Sequence, residues 1–261
     1  MQDSVKKTLL VALGVCLVCS VLVSSAAVAL KPKQEENKKL DKLKNILIAG
    51  NLYNENTDIE KTYSEKISTA VIDLPTGETL TEVPEILTPD KFDIKKLAVD
   101  AIYGKELTAD EDVAGIKNIP VKMNIYQVKE NGVVQKYILP VYGKGLWSTM
   151  YGFLAIDKEI KKVKGITFYE HGETPGLGGE IDNPNWKSIW VDKDIFGNNG
   201  ELKLTVIKST VDSSDPEKNY KIDGLSGSTL TTRGVDTMIK FWLGENGYLP
   251  FIKKLKEGGN E

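Results

Sequence analysis

The sequence predicts an α+β fold, an antiparallel sheet with flanking helices, carried behind a single N-terminal transmembrane helix. Three observations predict it. Thr8 to Leu30 is a run of 23 residues without a formal charge, against the roughly 20 apolar residues that cross a bilayer as a helix. From Val121 onward, strand-like segments follow one another without regular helices between them, which favours antiparallel pairing over a parallel, helix-covered sheet. Near the carboxyl end, Val235, Met238, Ile239 and Trp242 recur at i, i+3, i+4 and i+7, one apolar face of a helix. With 41% hydrophobic and 27% charged residues in 261, the chain is ordinary globular material, enough for one sizeable domain or two small ones.

Residues 1–7 read as a short cytoplasmic N-terminus and 8–30 as the membrane helix. The rival is a cleaved signal peptide, because Lys6 and Lys7 precede the run and Ala27-Val28-Ala29 resembles a cleavage site. A signal core is only about 7 to 15 residues long, so length favours an uncleaved anchor. Cys16 and Cys19 share a helix face at i, i+3 and read as packing residues, since two thiols do not complete a metal site.

Residues 31–95 form a membrane-proximal helical and connecting region, and 96–261 the soluble domain. Leu40, Leu43, Ile46, Leu47 and Leu52 continue near helical spacing toward about residue 70. Val71 to Pro89 reads as extended connection, and Asp90 to Asp100 as a short helix. Val121–Lys129 and Val133–Val141 flank Glu130-Asn131-Gly132, a hairpin turn because Asn-Gly readily takes positive φ. Tyr151–Ile156 and Val163–Tyr169 follow as strands around a charged turn, and Glu201–Ile207 as another. Thr231 or Thr232 would cap the last helix.

A net charge of −3, with no basic stripe interleaved with aromatics, argues against nucleic acid as a partner. Lysines after the span (Lys31, Lys33, Lys38, Lys39) outnumber those before it. Taken literally, the positive-inside rule would put the large domain in the cytoplasm.

Three segments could carry chemistry. Asp223-Gly224-Leu225-Ser226-Gly227-Ser228-Thr229-Leu230-Thr231-Thr232 sets five hydroxyls around two glycines just before an amphipathic helix. Glycine lets a phosphate approach the main chain, hydroxyls donate to it, and the amides at a helix start favour negative charge. A capped loop has much the same composition. A hydrolase elbow is excluded because Gly224-Leu225-Ser226-Gly227-Ser228 lacks the last glycine of G-x-S-x-G. His171-Gly172-Glu173-Thr174-Pro175-Gly176-Leu177-Gly178-Gly179-Glu180 is an open, glycine-rich loop that a flat ring could approach. With His171 the only histidine, zinc ligation there is improbable. In Val141-Tyr142-Gly143-Lys144-Gly145-Leu146-Trp147-Ser148-Thr149-Met150-Tyr151-Gly152, the glycines permit close approach and Trp147 supplies either an aromatic wall or a core side chain.

Taken together, in order and at these distances, the span, G-K-G-L-W-S-T-M-Y-G, H-G-E-T-P-G-L-G-G and D-G-L-S-G-S-T-L-T resemble the C-subunit family of the sodium-translocating NADH:quinone reductases. Coverage is close to end to end; Ser228 departs from the usual alanine. The resemblance implies FMN held covalently by a phosphoester to Thr229, attached by a separate flavin transferase that uses FAD. It implies that Ser226, Gly227, Ser228, Thr231 and Thr232 surround the phosphate, with Arg233 near it, and that Trp147, Leu146, Glu173, Thr174, Gly176 and Leu177 border the ring. No catalytic residue and no metal ligand are expected. The chain would be an electron carrier within the reductase complex, bound to its other subunits, anchored in the bacterial inner membrane with the FMN-binding domain on the periplasmic side. The alternatives are the related G subunit of Rnf-type electron-transport complexes, which shares two of the motifs, or a free-standing flavinylated domain, and an anchored scaffold without flavin.

Overall fold

The structure, a computed structural model, describes residues 4–258, so the first three residues of the expected N-terminus lie outside the described part. It divides into two compact units, residues 1–42 and 43–261. The first is the long helix α1 (Val5–Ala49) up to Lys42. Leu9, Leu13, Leu17 and Leu22 along it are exposed, and its apolar stretch is long enough to cross a membrane. Pro32 sits inside α1 just past that stretch.

The second unit is built on a five-stranded antiparallel sheet. Its strands are β1 (Ile67–Asp73), β4 (Lys122–Glu130), β5 (Val133–Lys144), β6 (Thr149–Asp157) and β7 (Val163–Glu170), lying side by side in that order. A two-stranded ribbon, β2 (Gly104–Glu106) with β3 (Asn118–Pro120), lies between β1 and β4 in sequence. The hairpin expected at Asn131-Gly132 is present: both residues have positive φ, 51° and 80°. Two such residues give the turn whose twist matches that of the strands it joins.

Helical continuity ends sooner than the apolar spacing suggests. α1 stops at Ala49, a short α2 (Ile59–Lys66) follows, and Ile67 starts the edge strand β1. The sheet therefore begins ahead of residue 96. α3 (Ile94–Ala98) occupies the Asp90–Asp100 stretch, with the Asp93 carboxylate accepting from the Lys95 and Lys96 amides. Glu201–Ile207 is a strand only at β8 (Thr205–Val206), which pairs in parallel with β9 (Lys221–Ile222); Leu202 bridges back to Phe196 instead.

Both faces of the sheet are covered. On one, Ile46, Leu47 and Ala49 pack with Tyr126, Ile138, Phe153 and Ala155, and Thr167 Oγ1 donates to Asn45 Oδ1 at 2.8 Å. On the other lies α5 (Thr229–Trp242), whose Val235, Met238, Ile239 and Trp242 are buried as its periodicity requires. α4 (Pro184–Ser188) and the C-terminal α6 (Leu249–Gly258) complete the unit.

Neither Thr231 nor Thr232 caps α5. Ser228 occupies the N-cap position, with no capping bond from its side chain, and the two threonines lie in the first turn with their hydroxyls turned inward.

Candidate functional site

α5 lies along β5 at close range, and glycine makes that possible. A Cβ at Gly143 would come 2.6 Å from Met238 Cβ, and one at Gly234 would come 2.4 Å from the Lys144 carbonyl oxygen. Trp242 Nε1 donates to the Tyr142 carbonyl at 2.7 Å. The contacts therefore run 142 with 242, 143 with 238, and 144–145 with 234, so the amino end of α5 points past Gly145 toward the turn Leu146–Ser148. Gly143 and Gly145 thus make room for the protein's own helix and for Glu173, a use of these glycines that competes with ligand approach.

Thr229 is the first residue of α5 and is exposed, as are Ser226 and Gly227, while Ser228 is buried. Gly227 takes φ 74°, the left-handed region that lets the chain turn sharply into the helix. The first intrahelical bond runs from Thr232 N to Ser228 O, so the amides ahead of Thr232 carry the positive end of the helix without an intrahelical acceptor. Arg233, one turn on at i+4 from Thr229, is exposed.

The loop before the helix is held from behind. Asp223 Oδ1 accepts from Val211 N at 2.8 Å, its carbonyl accepts from Trp186 Nε1 at 2.8 Å, and Leu225 N donates to Thr232 Oγ1 at 3.0 Å. Gly224 fits only as glycine, since a Cβ would meet Ile207 O at 2.4 Å.

The other two segments meet this helix start. Leu177 lies against Gly227, where a Cβ would be 3.3 Å from Leu177 Cδ2. Thr174 and Gly176 are exposed beside it, Gly176 at φ 74°. Trp147 is 68% exposed and is no core side chain; Leu146, Leu177 and Leu230 are exposed with it. Exposed large apolar groups beside a helix start and an exposed hydroxyl fit a ligand with a flat apolar ring and a phosphate.

Glu173 differs from its neighbours. Only 4% exposed, it accepts from Leu146 N, Trp147 N and Ser148 N at 3.1, 3.0 and 3.2 Å and from Thr231 Oγ1 at 2.6 Å. Burial works to raise its pKa, but the Thr231 hydroxyl and the three amides outweigh that and leave it below the usual carboxylate value. His171 stands behind it: Nδ1 accepts from Glu173 N at 3.2 Å, which leaves the proton on Nε2 to donate to Asp182 Oδ2 at 2.7 Å. Sequence reasoning missed Ser148, whose Oγ accepts from Gly172 N at 2.6 Å. No spacing in the sequence signals that bond.

Known proteins resemble the chain along nearly its whole length. The FMN-binding domain family model matches residues 145–244. The C subunit of the Na(+)-translocating NADH-quinone reductase of Yersinia pestis is 44% identical, over 98% of this chain and 95% of its own. Its counterpart from Pseudomonas aeruginosa is also 44% identical, over 98% of each. This chain belongs to the C-subunit family of the Na(+)-translocating NADH-quinone reductases. Among solved structures of that family, NqrC of Shewanella oneidensis has a TM-score of 0.75 at 29% identity, covering 85% of this chain and 99% of that one. The corresponding protein of Parabacteroides distasonis has a TM-score of 0.62 at 28% identity, covering 85% and 96%. The FMN-binding window starts at Gly145 and so takes in the Trp147 turn, Glu173 and α5 together. With matches to this family at such coverage, the Rnf-type alternative is set aside.

Proposed function

We propose that this chain carries FMN as a phosphoester on Thr229 Oγ1 and relays electrons between redox centres of a membrane-bound NADH-quinone reductase. One observation carries the reading: Thr229 is the exposed first residue of α5, with exposed Leu177 against Gly227 just ahead of it and the turn bearing exposed Leu146 and Trp147 joined through Glu173 to Thr231 just after it. A separate transferase would join the Thr229 oxygen to the FMN phosphorus of FAD, with AMP leaving and the hydroxyl proton lost. Ser226, Gly227 and Ser228, the amides at the start of α5 and Arg233 would hold the phosphate. Thr231 contributes through its main chain, because its hydroxyl already serves Glu173. Thr232 shapes the loop, its amide and hydroxyl being committed to Ser228 and Leu225. Leu146, Trp147, Thr174, Gly176 and Leu177 would border the ring, while Glu173, expected beside it, would stand behind them with its carboxylate turned inward to the Leu146–Ser148 amides and Thr231. When bound, FMN supplies the capacity to accept and pass on electrons singly, and the protein sets its orientation and exposure.

In the full chain, residues 1–7 would be cytoplasmic, 8–30 would cross the inner membrane, and the FMN-binding domain, with its edge strand Ile67–Asp73 included, would lie in the periplasm. Long domains translocate largely regardless of their charge, which answers the lysine count. A single span whose only ionisable groups are two cysteines offers a cation no charged side chain to pair with, so sodium transport would belong to partner subunits. A carboxyl-terminal reporter active only in the periplasm tests the orientation; activity from a cytoplasmic reporter alone would overturn it. Attachment is tested on a denaturing gel with the chain co-produced with the transferase. Flavin fluorescence should follow the chain and vanish in Thr229→Ala. Fluorescence retained in that variant would refute the linkage, and its absence from the unaltered chain would favour the scaffold alternative.

A further inference from the structure

The two oxygens of Glu173 collect four donors from two distant elements. Oε1 takes the Trp147 and Ser148 amides, and Oε2 takes the Leu146 amide and the Thr231 hydroxyl. The amides lie 25 to 27 residues from Glu173 in sequence and Thr231 lies 58 residues away, so this one carboxylate ties the β5–β6 turn to the first turn of α5. A carboxylate offers about four acceptor positions, and four are occupied, which leaves none for a ligand. Space for the arrangement is reserved by glycine. A Cβ at Gly145 would lie 2.5 Å from Glu173 Oε1, and one at Gly178 would lie 2.5 Å from Thr231 Oγ1 and 3.0 Å from Glu173 Oε2. His171 and Ser148 hold the backbone that leads into Glu173, through Glu173 N and Gly172 N.

We infer that Glu173 is the positioning residue of the flavin site: its buried carboxylate locks the Trp147 turn to the start of α5. It thereby sets the ring platform relative to the Thr229 oxygen without touching the flavin. This rests on the reading of Thr229 as the attachment point. An amide cannot replace the carboxylate here: whichever way glutamine is turned, its NH₂ stands against the Leu146 amide or against the Trp147 and Ser148 amides, which only donate, even where the Thr231 hydroxyl turns to accept. The Thr231 bond is the arm of the clamp that reaches α5. Removing it separates platform from tether while leaving the turn capped.

The test uses the full-length chain, co-produced with the flavin transferase and solubilised in detergent. In Thr231→Val the gel band should keep its flavin, but the fluorescence anisotropy of that flavin should fall as the ring leaves its seat. Thr231→Ser should restore it. In Glu173→Gln the Leu146, Trp147 and Ser148 amides should exchange with deuterium about tenfold faster, a factor that corresponds to about 1.4 kcal/mol. Exchange needs no flavin, so it decides the clamp even if Thr229→Ala retains flavin and the attachment reading falls. Anisotropy unchanged in Thr231→Val, or exchange unchanged in Glu173→Gln, would overturn the inference.

Discussion

Replacing Gly234 by alanine ought to stabilise a helix, and in this protein it should do the reverse. Gly234 lies inside α5, where glycine costs about 1 kcal/mol relative to alanine. The new methyl, however, would come 2.4 Å from the Lys144 carbonyl oxygen and 3.2 Å from Gly145 Cα. Both neighbours are main chain and cannot move aside by changing rotamer. Overpacking of a tight contact costs about 1 to 3 kcal/mol, and a rigid backbone on the far side places this case at the upper end. The helix gain offsets about 1 of roughly 3, leaving about 2 kcal/mol of net destabilisation. For a unit of this size that lowers Tm by about 4 to 8 °C. Differential scanning calorimetry of the chain in detergent measures it. The same shift of α5 away from Gly145 should lower the yield of flavin on the gel. A Tm that is unchanged or raised would show that α5 does not ride on β5 as the contacts indicate.

Trp147→Ala should leave Tm nearly unchanged, within about 0.5 kcal/mol, because the side chain is largely exposed. It should still lower the anisotropy of the attached flavin; a large loss of stability would show that Trp147 is a packing residue after all. Glu173 sets a pH dependence whose sign follows from its depressed pKa. Its stabilising contribution is fully present above the unfolded value near 4.5 and is lost as pH falls through the lower folded value. The difference in Tm between the native chain and Glu173→Gln should therefore be constant from pH 6 to 8 and shrink only in acid; a loss beginning near neutrality would contradict the clamp. Tyr248→Phe removes the hydroxyl that donates to the Pro140 carbonyl at 2.6 Å in a fully buried setting. It should cost about 1 kcal/mol or more, and an unchanged Tm would mean that this bond contributes nothing net.

Much of the sheet is legible because its signals are local. Asn131-Gly132 specifies its own turn, and the strands on either side carry the residues that a half-buried sheet face needs. β1 is not legible in the same way. The helical reading carried to about residue 70 and the extended connection read from Val71 divide Ile67–Asp73 between them, and it is the pairing with β4, Ile67 opposite Val128, that makes the stretch one strand. Glu201–Ile207 shows the opposite case, a strand-like run divided between a bridge to Phe196 and a two-residue parallel pairing with Lys221–Ile222. The helical face of α5 was legible, whereas its cap was not. Any of several hydroxyl residues can start a helix; here the helix begins at Thr229 with no side-chain cap from Ser228, and Thr231 and Thr232 spend their hydroxyls on Glu173 and Leu225.

The sequence by itself determined the membrane-length apolar run, the antiparallel class of the domain, the amphipathic helix after the hydroxyl segment, and the three motifs that carry the family resemblance. Each rests on periodicity, turn chemistry or residue order, all of which act within a few neighbours along the chain. Only the tertiary structure decided that Trp147 faces outward, that Gly143, Gly145 and Gly234 serve the contact of helix with strand, and that Glu173 points inward. Those outcomes depend on which distant groups compete for burial and for hydrogen bonds. A carboxylate in a glycine-rich loop reads equally well as a ligand contact or a brace until three amides and a threonine hydroxyl from elsewhere in the fold close around it.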